Sequence, residues 1–167
     1  MLNAQDRVRL WNSFFYLARQ NAKNLFEIRN KCTSSQTFRP KGGMLDDEQR
    51  AALAAVAFCT LAIEARANHV IQKLREDGRI TEHECEAAQR LSPEAKWFLL
   101  PKLAGRRRTL RADTGPHQAV SQICGLRNDL VHVKFDKLSK RLPGAGIMLS
   151  WFERLIEAFE DMNVVLR

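Results

Sequence analysis

The stretch "DEQRAALAAVAFCTLAIEARANHVIQKLREDG", residues 47–78, decides the fold of this chain. Its apolar residues recur at spacings of three and four, which is the period of an α-helix that packs on one side. Asp46 or Asp47 can cap its start, and Gly78 supplies the left-handed residue that ends many helices. The pattern therefore predicts one long, largely buried helix that ends at Asp77.

Apolar residues at helical spacing also fill most of the chain on either side of this stretch. No segment shows the period-two alternation of a half-buried strand. Start signals for further helices are Asp6, the capping-box pair Thr81 and Glu84, the Ser92–Pro93 pair and Pro116. We therefore predict an all-α fold, a bundle of four long helices with one or two short extra helices, whose N-terminal helix covers about 6–30.

The size and composition suit a single compact domain. The chain has 167 residues, of which 45% are hydrophobic and 28% are charged, and such a chain buries a core without disulfides or metals. We therefore treat 1–167 as one helical domain. Its net charge of +8 attracts polyanions, which favours nucleic acid as a partner over an acidic one.

No sequence feature indicates a metal, another cofactor or a membrane. The four cysteines are far apart and form no CxxC pair, so we expect reduced thiols in the cytoplasm. Glu82, Glu84 and Glu86 spread around a helix, which does not suit metal binding. The apolar run at 51–63 is too short to span a bilayer. We expect a soluble, cytoplasmic protein without a membrane partner.

The segment "GLRNDLVHVK", residues 125–134, places a charge inside an apolar helix face. Arg127 falls in the middle of the apolar stripe of its predicted helix. Asn128 and His132 share one flank of that stripe because they are four residues apart. A guanidinium stays charged at accessible pH, so Arg127 needs an anion, either a carboxylate of the protein or a bound phosphate.

The long helix offers such a carboxylate. Glu64 lies in the middle of the stripe that Leu61 and Ala67 continue, with Asn68 beside it. Two mid-stripe charges of opposite sign predict that the two helices face each other, with Glu64 orienting Arg127 or sharing its hydrogen bonds. A buried pair of this kind can also serve only to fix the register of the helices.

A similar spacing of arginine and histidine occurs from Arg111 to His117. That match crosses Gly115 and Pro116 and cannot form one continuous helical face, so we interpret it as accidental.

Basic side chains surround the motif helix in sequence. The cluster before it contains Arg106, Arg107, Arg108 and Arg111, and the residues after it include Lys134, Lys137, Lys140 and Arg141. Both are candidate contacts for a nucleic-acid backbone. A solvated loop is the alternative for each.

The motif Arg127, Asn128 and His132 near the end of a helix, together with the inward Glu64, resembles the HEPN superfamily. The resemblance covers about 46–166, whereas 1–45 match nothing specific. It implies a helical homodimer in which two copies of the motif face each other across a cleft. Many such proteins cut RNA without metal, in toxin–antitoxin, phage-defence or RNA-processing systems, and an antitoxin protein is a further partner that the resemblance implies.

The residue types suit that chemistry. Metal-independent RNA cleavage needs an acid or base with a pKa near neutrality and a fixed cation for the charge that builds on the phosphorane. His132 fits the first role and Arg127 the second. Asn128 can hold the imidazole or a phosphate oxygen, and Glu64 can orient Arg127. Two protomers supply two histidines, and the products are expected to end in a 2′,3′-cyclic phosphate.

Two other interpretations stay open. The chain can be a noncatalytic HEPN-like module that binds RNA, a nucleotide or a protein partner, with Arg127 and Glu64 as a structural pair. It can also be a plain helical scaffold in which the motif is a coincidence.

Overall fold

The structure, a computed structural model, describes residues 4–34, 47–106, 110–111, 113, 115–131 and 145–166. Six helices occupy most of them: α1 (Ala4–Ser34), α2 (Asp47–Glu76), α3 (Glu82–Gln89), α4 (Pro93–Leu103), α5 (His117–Val131) and α6 (Ala145–Leu166). No strand occurs within these ranges. The prediction of an all-α bundle with four long and two short helices is confirmed.

The two longest helices, α1 and α2, pack side by side in antiparallel directions. Arg7 near the start of α1 binds Glu76 at the end of α2, with Nη2 and Oε1 2.7 Å apart. The predicted buried face of α1 packs on the core through Trp11, Phe15, Ala18, Ala22 and Leu25. This pair forms one wall of the bundle.

The end of α2 follows its sequence signal. Gly78 has a φ of +68°, a left-handed conformation that costs glycine little. The Arg79 N–H reaches the Leu74 carbonyl at 2.8 Å and the Gly78 N–H reaches that of Arg75 at 2.9 Å. These two hydrogen bonds pair carbonyl groups that have no partner within the helix. The prediction that Gly78 ends the helix is therefore confirmed.

The short helices begin at their predicted caps. The Thr81 hydroxyl accepts from the Glu84 N–H at 3.2 Å, and the Glu84 carboxylate accepts from the Thr81 N–H at 2.7 Å. The Ser92 hydroxyl accepts from the Ala95 N–H at 3.2 Å. From this start, α4 carries Trp97 into the centre of the bundle, where it is fully buried.

The core has two parts. The larger joins all six helices and includes Ile63, Ile71, Trp97, Val120 and Phe159. The smaller lies where α5 ends and includes Leu25, Val56, Leu126 and Met148. Residues 127–128 therefore adjoin the smaller part.

By length and composition, α2 could also cross a membrane over Arg50–Glu76. The prediction that this segment is too short to span a bilayer was based on the apolar run at 51–63 alone. In the most apolar part of this helix 50% of the window is buried inside the bundle, and the core helix of a soluble protein meets the same criteria of length and composition.

Candidate functional site

Arg127 lies near the end of α5, beside the smaller part of the core. Its side chain is half-buried, and its Nη1 donates to Oδ1 of the exposed Asn128, 3.3 Å away. His132 lies outside the described residues. The structure therefore brings together two of the three motif side chains.

The carboxylate of Glu64 binds a lysine instead of Arg127. Lys96 of α4 reaches it with Nζ and Oε1 2.8 Å apart, and the side chains of Lys96 and Glu64 are 2% and 34% exposed. Leu61, one turn before Glu64, is exposed, so this side of α2 is the edge of its buried stripe and not the middle. The predicted pairing of Glu64 with Arg127 is therefore replaced by a pairing between α2 and α4.

The predicted contact of α2 with α5 is nevertheless present, and Cys124 lies near the charges on both helices. Burial raises the pKa of the Cys124 thiol to about 12; the charges of Glu94 and Glu64 add to the rise, and that of Arg127 opposes it. Ser121, one turn earlier on α5, donates its hydroxyl to Glu94 of α4. The charges of Glu64 and Arg127 thus both affect the pKa of the Cys124 thiol, although the two side chains do not form an ion pair.

Glu64 and Lys96 line an open cleft of about 470 Å³ that α1, α2, α3 and α4 surround. Asn68 and His69 line it too, and Oδ1 of the first and Nδ1 of the second are buried with no hydrogen-bond partner among the described residues. Burial, together with nearby cations such as Arg66, lowers the pKa of His69, which favours a neutral imidazole at pH 7. Within the same residues, no three His, Cys, Asp or Glu side chains are grouped as metal ligands.

The predicted basic clusters are described only in part. Arg106 and Arg111 are exposed, and Arg111 pairs with Asp113 at 3.0 Å. The other predicted nucleic-acid contacts lie outside the described residues: Arg107, Arg108, Lys134, Lys137, Lys140 and Arg141.

His117, the histidine of the second spacing match, belongs to the core. Its Nδ1 accepts from the Trp97 indole N–H at 3.1 Å, and its Nε2 lies 2.9 Å from an oxygen of Asp161. Because Nδ1 accepts, the neutral ring carries its proton on Nε2 and donates it to Asp161. His117 thereby joins α4 and α6 at the start of α5, and it does not share a helix with Arg111.

Sequence reasoning missed Lys96, although a signal was present. This lysine stands between Ala95 and Trp97 in "EAKWFLLPKLAG", a segment with more apolar residues than one helix face requires. A charge in such a helix needs a partner when it is buried, and Glu64 is that partner.

We expect the two halves of the Glu64–Lys96 pair to respond differently to mutation. Glu64→Ala leaves a buried ammonium without its carboxylate and should lower the free energy of unfolding by about 2 kcal/mol. Lys96→Met removes the buried charge and leaves a carboxylate that water reaches, so it should cost less. Urea-induced unfolding of both variants measures the difference. Equal costs would contradict this account of the pair.

Comparison with known proteins assigns no role to these residues, because no family model, curated protein or solved structure matches the chain.

Proposed function

We propose that this chain is a metal-independent endoribonuclease of the HEPN type, with Arg127, Asn128 and His132 at a homodimer cleft. The supporting observation is the environment of Arg127. Its half-buried guanidinium binds only Asn128 among the described residues, while Glu64 is held by Lys96. A partly buried guanidinium without a carboxylate partner is suited to a phosphate group.

The proposed reaction uses the 2′-hydroxyl of the RNA as the nucleophile. One His132 takes the proton of that hydroxyl as its oxygen attacks the adjacent phosphorus. Arg127 stabilises the negative charge that builds on the phosphorane oxygens. The His132 of the second protomer donates a proton to the departing 5′-oxygen. The products are a 2′,3′-cyclic phosphate and a 5′-hydroxyl, and no metal takes part.

The proposed assembly is a homodimer whose cleft is formed around the motif. Val131, directly before the segment 132–144, and Ile147, three residues after it, are each 55% exposed. Exposed apolar side chains beside a functional motif support an interface with a second copy. The exposed Arg106 and the charge of +8 support RNA as the substrate. A cytoplasmic role in a toxin–antitoxin or phage-defence system, with an antitoxin partner, belongs to the same proposal.

The test is RNA cleavage by the purified protein in excess EDTA. We expect the protein to cut single-stranded RNA and to leave DNA of the same sequence intact, because DNA lacks the 2′-hydroxyl. Mass spectrometry of the fragments should show 2′,3′-cyclic phosphate ends. Sedimentation velocity should give a dimer under the same conditions.

Two results would contradict this proposal. One is a failure to cut any RNA in a diverse pool, together with no growth defect when the protein is expressed in cells. The other is cleavage of DNA and RNA at equal rates, which would exclude the 2′-hydroxyl as the nucleophile.

A further inference from the structure

The outward side of α1 carries large apolar side chains in contact with solvent. Tyr16 is 65% exposed and Phe26 is 47% exposed, and Leu10 and Leu17 are exposed as well. A group of exposed apolar side chains on one helix is a candidate contact surface.

Three cations share this side of α1. Arg9, Arg19 and Lys23 are exposed, and none of them has a carboxylate within ion-pair distance among the described residues. By contrast, Arg7 on the same helix binds Glu76. The positive charges of these three side chains are therefore available to bind an anionic partner.

The cations and aromatic rings lie along two lines of the helix. Arg9, Tyr16 and Lys23 are seven residues apart, so they follow one line along α1 at intervals of about 10.5 Å with a drift of about 20°. Arg19 and Phe26 form a second, parallel line at the same spacing. Each line contains a cation and a ring, which is the combination that binds phosphates and stacks on unpaired bases.

We propose that the outer face of α1, defined by Arg9, Tyr16, Arg19, Lys23 and Phe26, binds single-stranded RNA. The cations contact the phosphates, and Tyr16 and Phe26 stack on bases. Acidic peptides and anionic membranes would use the cations but have no bases for the rings. This inference deepens the proposed function and rests on it for the identity of the nucleic acid.

The test measures binding with an oligonucleotide that cannot be cut. A fluorescent, fully 2′-O-methylated single strand of about 12 nucleotides spans a surface of this kind and has no free 2′-hydroxyl. Fluorescence anisotropy gives its Kd for the full chain at several salt concentrations. The same strand annealed to its complement should bind more weakly, because paired bases cannot stack on the rings.

The aromatic ring is tested by Tyr16→Ala and Tyr16→Phe. We expect Tyr16→Ala to weaken binding about tenfold, because stacking on one aromatic side chain contributes about that much affinity. Tyr16→Phe keeps the ring and should bind like the wild type. The chain contains a single tyrosine, so its ring signals in NMR spectra report directly on Tyr16 and should shift when the strand is added.

The cations are tested by the double variant Arg9→Ala/Lys23→Ala. Its matched control is Arg90→Ala/Lys102→Ala, which removes one arginine and one lysine from exposed positions at α3 and α4. The first variant should weaken binding and reduce the slope of log Kd against log salt by roughly 0.7 for each lost phosphate contact. The control should do neither.

Three results would overturn the proposal: an unchanged Kd for Tyr16→Ala, equal binding of single strand and duplex, and equal effects of the two double variants. The outcomes also separate this inference from the proposed function. Binding as described without cleavage of RNA keeps the α1 surface and removes the ribonuclease. Cleavage of RNA with no effect of Tyr16→Ala on binding keeps the ribonuclease and removes the surface.

Discussion

Cleavage of RNA should fall by about 10²–10⁴-fold in His132→Ala, because a positioned general acid or base contributes an effect of that size. Arg127→Ala should lower the rate by about 10²–10³-fold, the usual effect of removing one group that stabilises transition-state charge. Single-turnover cleavage in EDTA measures both effects. Circular dichroism and thermal unfolding establish whether each variant keeps the helical bundle.

Matched control substitutions are available at α3, away from the motif. His83 and Arg90 are exposed at α3 and at its end, so His83→Ala and Arg90→Ala make the same chemical changes away from the motif. Both should cleave like the wild type. Full activity of His132→Ala would remove the motif from the reaction. A loss of folding in Arg127→Ala would favour a structural role for this residue, and Arg127→Lys, which keeps the charge but loses the planar fork, would then test the charge alone.

The helices could be predicted because their signals are local. The φ of Gly78 and the two caps at Thr81 and Ser92 depend on residues within one turn, and each appears in the structure as expected. The contact of α2 with α5 is present as well, although Glu64 and Arg127, the two charges from which it was predicted, do not pair. The helix ends depend on sequence within one turn, whereas this contact depends on how the helices pack.

The partner of Glu64 could not be predicted because it depends on how three helices pack. Alanines and other apolar residues of α2 itself occupy most sides of the helix. The centre of its buried stripe therefore cannot be found from the helical wheel. The stripe is centred on Ala55, Cys59, Ile63 and Ala67, which leaves Glu64 at its edge. There Lys96 of the short helix α4 is nearer to it than Arg127, and the position of α4 follows from the burial of Trp97.

The same packing explains why His117 and Arg127 differ although both lie on α5. His117 begins the helix within the larger part of the core and finds partners on α4 and α6. Arg127 lies near the other end, beside the smaller part, with Asn128 as its partner. One helix thus supplies a structural histidine at its start and, near its end, an arginine whose contact among the described residues is with Asn128.

Trp97 should contribute more to stability than any other single side chain of the bundle. It is fully buried, its ring lies 5.3 Å from that of Phe159, and its N–H binds His117. We expect Trp97→Ala to lower the free energy of unfolding by about 3–5 kcal/mol, the usual range for a buried tryptophan. Urea-induced unfolding followed by circular dichroism measures this loss.

The hydrogen bond to His117 can be separated from the packing of the ring. Trp97→Phe keeps an aromatic ring but leaves the buried Nδ1 of His117 without its donor, which should cost about 1–3 kcal/mol. Trp11 is the matched control, because its ring also packs on Phe159 while its buried indole nitrogen has no acceptor among the described residues. Trp11→Phe should therefore cost less. If the two substitutions cost the same, the bond from Trp97 to His117 does not stabilise the junction of α4, α5 and α6, and the packing of the ring alone holds it.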